Sequence, residues 1–166
     1  MNRFQDNDIV ITAATRTPIG AFSGSLASIS APELGATVIK QVAISTVDQV
    51  IMGEVLTAGV GQAPARQATL KAGLSHHVGA VTVNKVCGSG LQAIEYGYDM
   101  LRLGKATVVV CGGMESMSNA PYLLPQARTG YRLGNQTAID SLVHDGLWDV
   151  YNDFHMGLAG ECCADK

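Results

Sequence analysis

Cys87 stands between an alternating apolar stretch, AVTVNKV, and a helical pattern that follows Gly88-Ser89-Gly90 without a gap. A thiol attacks as its thiolate, and the ordinary cysteine pKa of about 8.5 leaves it mostly protonated at neutral pH. Placement at the start of a helix helps the anion. The unbonded N–H groups of the first turn and the positive end of the helix dipole favour S⁻ over SH. Gly88 and Gly90 carry no Cβ, so an extended acyl chain has room to lie close to the backbone. Two other readings share these residues. Free cysteine is most often a small buried hydrophobe. Gly88-Ser89-Gly90-Leu91-Gln92-Ala93 also fits the G-x-G-x-x-A turn of a dinucleotide-binding module, with Glu115 placed where a ribose-binding acid would be wanted. That fingerprint normally follows a first strand, whereas at least two strand candidates precede this one.

The remaining candidates are weaker. Arg16 has the charge for a phosphate, but a turn anchor is the better reading of Thr15-Arg16-Thr17-Pro18. His76 and His77 are adjacent in a loop and have no partner at metal-ligand spacing. Four cysteines (Cys87, Cys111, Cys162, Cys163) show no C-x-x-C pattern, and a vicinal Cys162-Cys163 pair is a poor disulfide. All four are expected as reduced thiols, with no metal site.

The elements that must position Cys87 read as alternating strands and helices. Residues 9–14 form a continuous apolar run, as in a strand covered on both faces. Ser30-Ala31-Pro32-Glu33 is a capping box that opens a helix reaching about Ala43, with Leu34, Val38, Ile39 and Val42 as its apolar face. Residues 47–56 read as a second strand, and Pro64 opens a helix over 65–72 in which Arg66 and Lys71 are taken as solvated charges. The third strand covers 80–86. The helix after Cys87 carries an apolar stripe of Leu91, Ile94, Tyr98 and Leu101, and Gly104 closes it. Residues 107–111 are a β-branched fourth strand, in which Cys111 is a packing residue. This order favours α/β layering with right-handed crossovers. From Asn119 the chain becomes extended and rich in breakers, as in an insertion. A helix is expected over 139–147, followed by Trp148, Tyr151 and Phe154 as packing aromatics.

With 166 residues, 47% of them hydrophobic and 15% charged, the chain is long enough for one domain with a real core. A net charge of −3 provides no broad footprint for nucleic acid or an anionic membrane. No run of 18 apolar residues is present, and residues 1–8 are polar and carry two acids, unlike a leader peptide. A cytoplasmic setting is the expectation.

Three stretches, VNKVCGSGLQAIEYG, VVVCGGMESMSNAPY and DGLWDVYNDFHMG, together resemble the N-terminal half of a thiolase of the acetyl-CoA acetyltransferase type, and the likeness runs over essentially the whole chain. It implies a layered α/β N-terminal domain with a mixed sheet, helices on both faces and the last strand lacking. Residues 1–118 would be the nucleophile-bearing core and 119–166 the start of an inserted loop domain, with the second half of the enzyme absent. Cys87 would carry the acyl group, its backbone N–H forming half of an oxyanion hole, while Leu147, His155 and Met156 would wall the pantetheine and acyl channel. Acetyl-CoA and acetoacetyl-CoA are the implied substrates, no cofactor is implied, and a homodimer or homotetramer is expected, with the 80–86 strand pairing across a two-fold. The G-H-P histidine and C-x-G-x-G cysteine of the family are not in these residues, so this chain alone is not expected to turn over. A thiolase-like scaffold without catalysis is the further alternative. The sequence departs from the family near residues 43–47, where it is shorter by about half a dozen residues.

Overall fold

The computed structural model describes residues 8–43 and 46–165. The N-terminal residues 1–7, residues 44 and 45 within the stretch read above as shorter than in the family, and Lys166 lie outside the described residues.

Helix α1 (Ala31–Val42) starts where the capping box requires. The Glu33 carboxylate accepts the Ser30 N–H at 3.0 Å and the Ser30 hydroxyl at 2.7 Å, and these bonds hold Glu33 below its usual pKa. Strand β1 (Gln49–Gly53) follows, then α2 (Pro64–Lys71), β2 (Gly79–Val83), α3 (Ser89–Arg102) and β3 (Val109–Gly113). The strands pair in the order β2-β1-β3. Both ladders are parallel, with Ile51 opposite Val81 on one side and Cys111 on the other. Asp48 pins the start of this sheet. Its carboxylate accepts the Thr107 and Val108 N–H groups at 2.6 and 3.0 Å, which lowers its pKa.

Alternation along β1 divides the core into two layers. Val50 and Met52 pack with Ala31, Ala36 and Ile39 of α1 and Ala65 and Ala68 of α2. Gly53 instead faces α3, where a Cβ would stand 2.6 Å from that of Ser89. Helices therefore cover both faces of the sheet. At its far end α3 stops in a Schellman motif around Gly104 at φ +65°, with Gly104 N bonded to Leu101 O and Lys105 N to Met100 O.

Beyond β3 come a 3₁₀ turn (Met117–Asn119) and the antiparallel pair β4 (Tyr122–Leu123) and β5 (Ile139–Asp140). A π-helical turn (Leu142–Leu147), the antiparallel pair β6 (Trp148–Asp149) and β7 (Phe154–His155), and helix α4 (Met156–Ala164) complete the order. No helix among the described residues is long and apolar enough to cross a membrane.

The structure corrects several expectations. Residues 9–14 form no strand, and Ile11 is 83% exposed. The two edges of β1 are taken by β2 and β3, and the run pairs with no strand among the described residues, so the sheet is parallel throughout rather than mixed. The apolar stripe of α3 does not face the sheet: Leu91, Ile94 and Tyr98 are exposed, and the buried face is Ser89, Ala93 and Gly97. No single helix covers 139–147. The Asp140 carboxylate accepts Leu142 N–H at 2.9 Å and the Ser141 hydroxyl bonds Pro121 O, so the first residues pair with β4 and only the rest coil. The aromatics after it lie on a hairpin, with Tyr151 exposed and the Trp148 indole N–H on Asp153 at 3.0 Å. Arg66 is not simply solvated, since its guanidinium donates to the carbonyls of His76 and Val78.

Candidate active site

The sheet and α3 meet at Cys87. Strand β2 ends at Val83, and Asn84-Lys85-Val86 turn the chain back over its own end. The Asn84 side-chain oxygen accepts the Val86 N–H at 2.9 Å. The Ser89 hydroxyl accepts the Lys85 N–H at 2.8 Å and donates to the Val86 carbonyl at 2.5 Å, which also takes the Ser89 N–H at 3.0 Å. Within this net Val86 sits at φ +48°, a left-handed conformation that costs a β-branched residue on the order of 1–3 kcal/mol. The strain lies directly before the nucleophile candidate. Cys87 follows as an exposed free thiol, one residue ahead of Gly88, the N-cap of α3.

Cys87 opens onto a cleft of about 420 Å³, walled also by Val55, Leu56, Met117 and Leu147. Leu147 arrives on the π turn, a distortion frequent at functional sites. The opposite wall is held by Glu115, whose carboxylate oxygens accept the Val55 and Leu56 N–H groups at 2.9 and 3.0 Å. The loop that carries Glu115 is itself anchored. Ser116 donates to Ile29 O at 3.1 Å, Asn119 donates to Ala27 O at 2.9 Å, and Ser118 accepts Ser23 N–H at 2.9 Å.

Next to this wall lies Glu54, 1% exposed, with neither carboxylate oxygen hydrogen-bonded among the described residues. Burial first, then the neighbouring Glu115 charge, push its pKa up to about 7.

The sequence candidates fall into two groups. Cys87 and Leu147 share the cleft, while His155 and Met156 are not among its lining residues. Both are half-buried, and the His155 Nδ1 accepts the Gly157 N–H at 2.9 Å as the N-cap of α4. Arg16 donates to Thr17 O at 3.1 Å, as a turn anchor does. Cys111 is packed beneath α3, and burial raises its thiol pKa. Among the described residues no group of three or more His, Cys, Asp or Glu could hold a metal ion. The dinucleotide reading loses its acid, because Glu115 is engaged by the Val55–Leu56 backbone, and the glycine turn follows the edge strand β2.

Comparison with known proteins gives the family. Residues 9–166 match the model of the family described as thiolase, N-terminal domain. The chain belongs to the thiolase family. Among its relatives are an acetyl-CoA acetyltransferase of Pseudomonas aeruginosa, 56% identical over 96% of this chain, and one of Cupriavidus necator, 54% identical over 96%. A probable acetyl-CoA acetyltransferase of Escherichia coli is 52% identical over 93%. The chain covers 42%, 42% and 41% of these three proteins.

Sequence reasoning on this thiolase domain missed Ser89, Glu115 and Glu54 as builders of the site. Ser89 and Glu115 lie inside the family-like stretches, but their hydrogen-bond partners are backbone groups that no sequence pattern announces. Glu54 is harder still, because a lone acid at a strand end reads as solvated.

Proposed function

We propose that the intact protein is an acetyl-CoA acetyltransferase that joins two acetyl-CoA into acetoacetyl-CoA and CoA, reversibly, through an acyl group on Cys87. The observation that carries this reading is the exposed Cys87 thiol at the mouth of α3, opening onto a largely apolar cleft. In the forward direction the thiolate attacks the thioester carbonyl of one acetyl-CoA, and CoA leaves as a thiolate that takes up a proton. A second acetyl-CoA then loses a methyl proton to a base, and its carbanion attacks the acyl-cysteine, which releases the Cys87 sulfur. The backbone N–H of Cys87 would stabilise the oxyanion in the acyl steps, and losing one such donor costs about 3–4 kcal/mol in comparable sites. Leu147 would line the acyl path, with His155 and Met156 further along the pantetheine channel. The histidine base and second cysteine of the family mechanism are not among these residues, so acyl loading is the step to examine. A homodimer or homotetramer completes the proposal, supported by the edge position of β2.

Trapping with iodoacetamide and mass spectrometry tests the reading. Cys87 should alkylate faster than Cys111, and acetyl-CoA should protect it in the protein that carries both thiolase halves. Protection by NAD or FAD instead would return the dinucleotide reading. Normal assembly with no acetyl on Cys87 under any condition would leave a non-catalytic scaffold.

A further inference from the structure

We propose that Ser89 is the positioning residue for Cys87, its hydroxyl clamping the preceding turn in a conformation that valine does not otherwise favour. The consequence for catalysis rests on the acyl-transfer reading, while the clamp itself rests on geometry alone.

A hydroxyl has one proton to give, and Ser89 gives it to the Val86 carbonyl while accepting the Lys85 N–H at 2.8 Å. These two bonds grip the residues on both sides of the Lys85–Val86 peptide, which leads into the φ of +48°. Ser89 is not acting as a helix cap, because the N-cap is Gly88 and the hydroxyl reaches backward rather than to the N–H groups of the next turn. Its seat is shaped for it. Ser89 is 4% exposed, and its Cβ lies over Gly53, where any side chain would collide. With the clamp removed, Val86 is free to relax toward the extended region, and the next peptide carries Cys87 away from the mouth of α3. Without the hydroxyl, the Val86 N–H keeps Asn84, Lys85 O keeps the Gly88 N–H at 3.1 Å and Val86 O keeps the Ser89 N–H, but the Lys85 N–H loses its bond to α3.

The test is alkylation of the full chain by iodoacetamide, with the rate at Cys87 referred to that at Cys162 and Cys163. Those two cysteines are exposed on α4 and serve as internal standards. Ser89→Ala should lower the ratio about tenfold in a chain whose circular dichroism melt shows it folded. Val86→Gly, which accepts positive φ without cost, should leave the ratio within about threefold of the parent and bring the S89A chain back to the same range. A residue with a merely structural role would not be rescued by glycine at 86. Gly53→Ala presses on the Ser89 Cβ and on the Ser89 and Gly90 backbone, and should lower the ratio as S89A does only by displacing the seat as a whole, so its loss should not be recovered by Val86→Gly. An unchanged ratio in S89A, or no recovery in the V86G/S89A chain, overturns the clamp; should S89A alone not fold, the double variant decides it, a ratio more than about threefold below the parent overturning the clamp. Acetylation of the parent Cys87 by acetyl-CoA is scored separately. Its absence would remove the acyl-transfer reading, and the alkylation ratios would still decide the clamp.

Discussion

Glu54 shows how far a single residue can be judged from chemistry alone. Its carboxyl is buried beside the Glu115 wall with no hydrogen bond among the described residues to compensate, so folding favours its protonated form. The folded pKa of about 7 lies above the ordinary 4.5. An acid raised in this way contributes stability in full below its unfolded pKa, and that stability is lost as pH rises through the folded value. The domain should therefore weaken between roughly pH 4.5 and 7 and change little from this group above that window. Glu54→Gln removes the titration while keeping the shape, and its amide can donate toward Glu115. Urea denaturation at pH 5 and pH 8 should show a parent loss of roughly 1–3 kcal/mol that the E54Q chain lacks. Parallel losses in the two proteins would mean that the carboxyl is solvated in solution. The placement of Cys87 at the start of α3 was legible from the sequence because the signal is local: a thiol, two glycines and a helix start adjoin along the chain. Glu54 was not, since its burial is created by elements elsewhere in the chain.

At the scale of elements, α3 is held to the sheet by what its side chains lack. Gly97 lies so close to Cys111 that a Cβ would sit 2.3 Å from the sulfur and 3.3 Å from a Val109 methyl. Alanine in a helix interior is ordinarily better than glycine by about 1 kcal/mol, but overpacking a tight contact costs about 1–3 kcal/mol. Gly97→Ala should therefore lower the melting temperature, and Cys111→Ala in the same chain should recover part of the loss. A rise in melting temperature with G97A alone would show that α3 rides further from β3 than the structure has it. The same contact explains why the buried face of α3 was misread. A stripe of Ser89, Ala93 and Gly97 carries almost no hydrophobic signal, whereas Leu91, Ile94 and Tyr98 carry a strong one and stay exposed. Elements closed by local chemistry were legible within a residue or two, as with the capping box of α1, Pro64 of α2 and Gly104 after α3. The 139–147 stretch was not, because pairing of β5 with β4 and the Ser141 bond to Pro121 override its helical periodicity.

At the scale of the whole molecule, two exposed surfaces among the described residues should act differently. One is the outer face of α3, where Leu91 is 77% exposed beside Ile94 and Tyr98. The other is the free edge of β2, with unpaired backbone groups and an exposed Val81. An apolar helix face gathers ligands and dyes with little geometric demand, whereas a strand edge pairs through a directional ladder and fixes a two-fold. Leu91→Ser with Ile94→Ser should cut binding of a hydrophobic dye to the isolated chain and raise its solubility while sparing its melting temperature, because these side chains bury little. Val81→Lys should instead shift sedimentation toward the monomer, since an edge lysine blunts strand pairing. If the serine pair abolishes association while V81K leaves it intact, the helix face holds copies together and the strand-edge dimer is wrong. Cys87 lies between these surfaces, at the turn that joins β2 to α3. Association along β2 would bring a second chain against the end of the strand from which the Cys87 turn departs. The same sedimentation series, read beside the alkylation rate at Cys87, therefore reports whether pairing along β2 also steadies that turn: a slower Cys87 in V81K at unchanged melting temperature is the expected result, and an equal rate in monomer and dimer would separate assembly from the site.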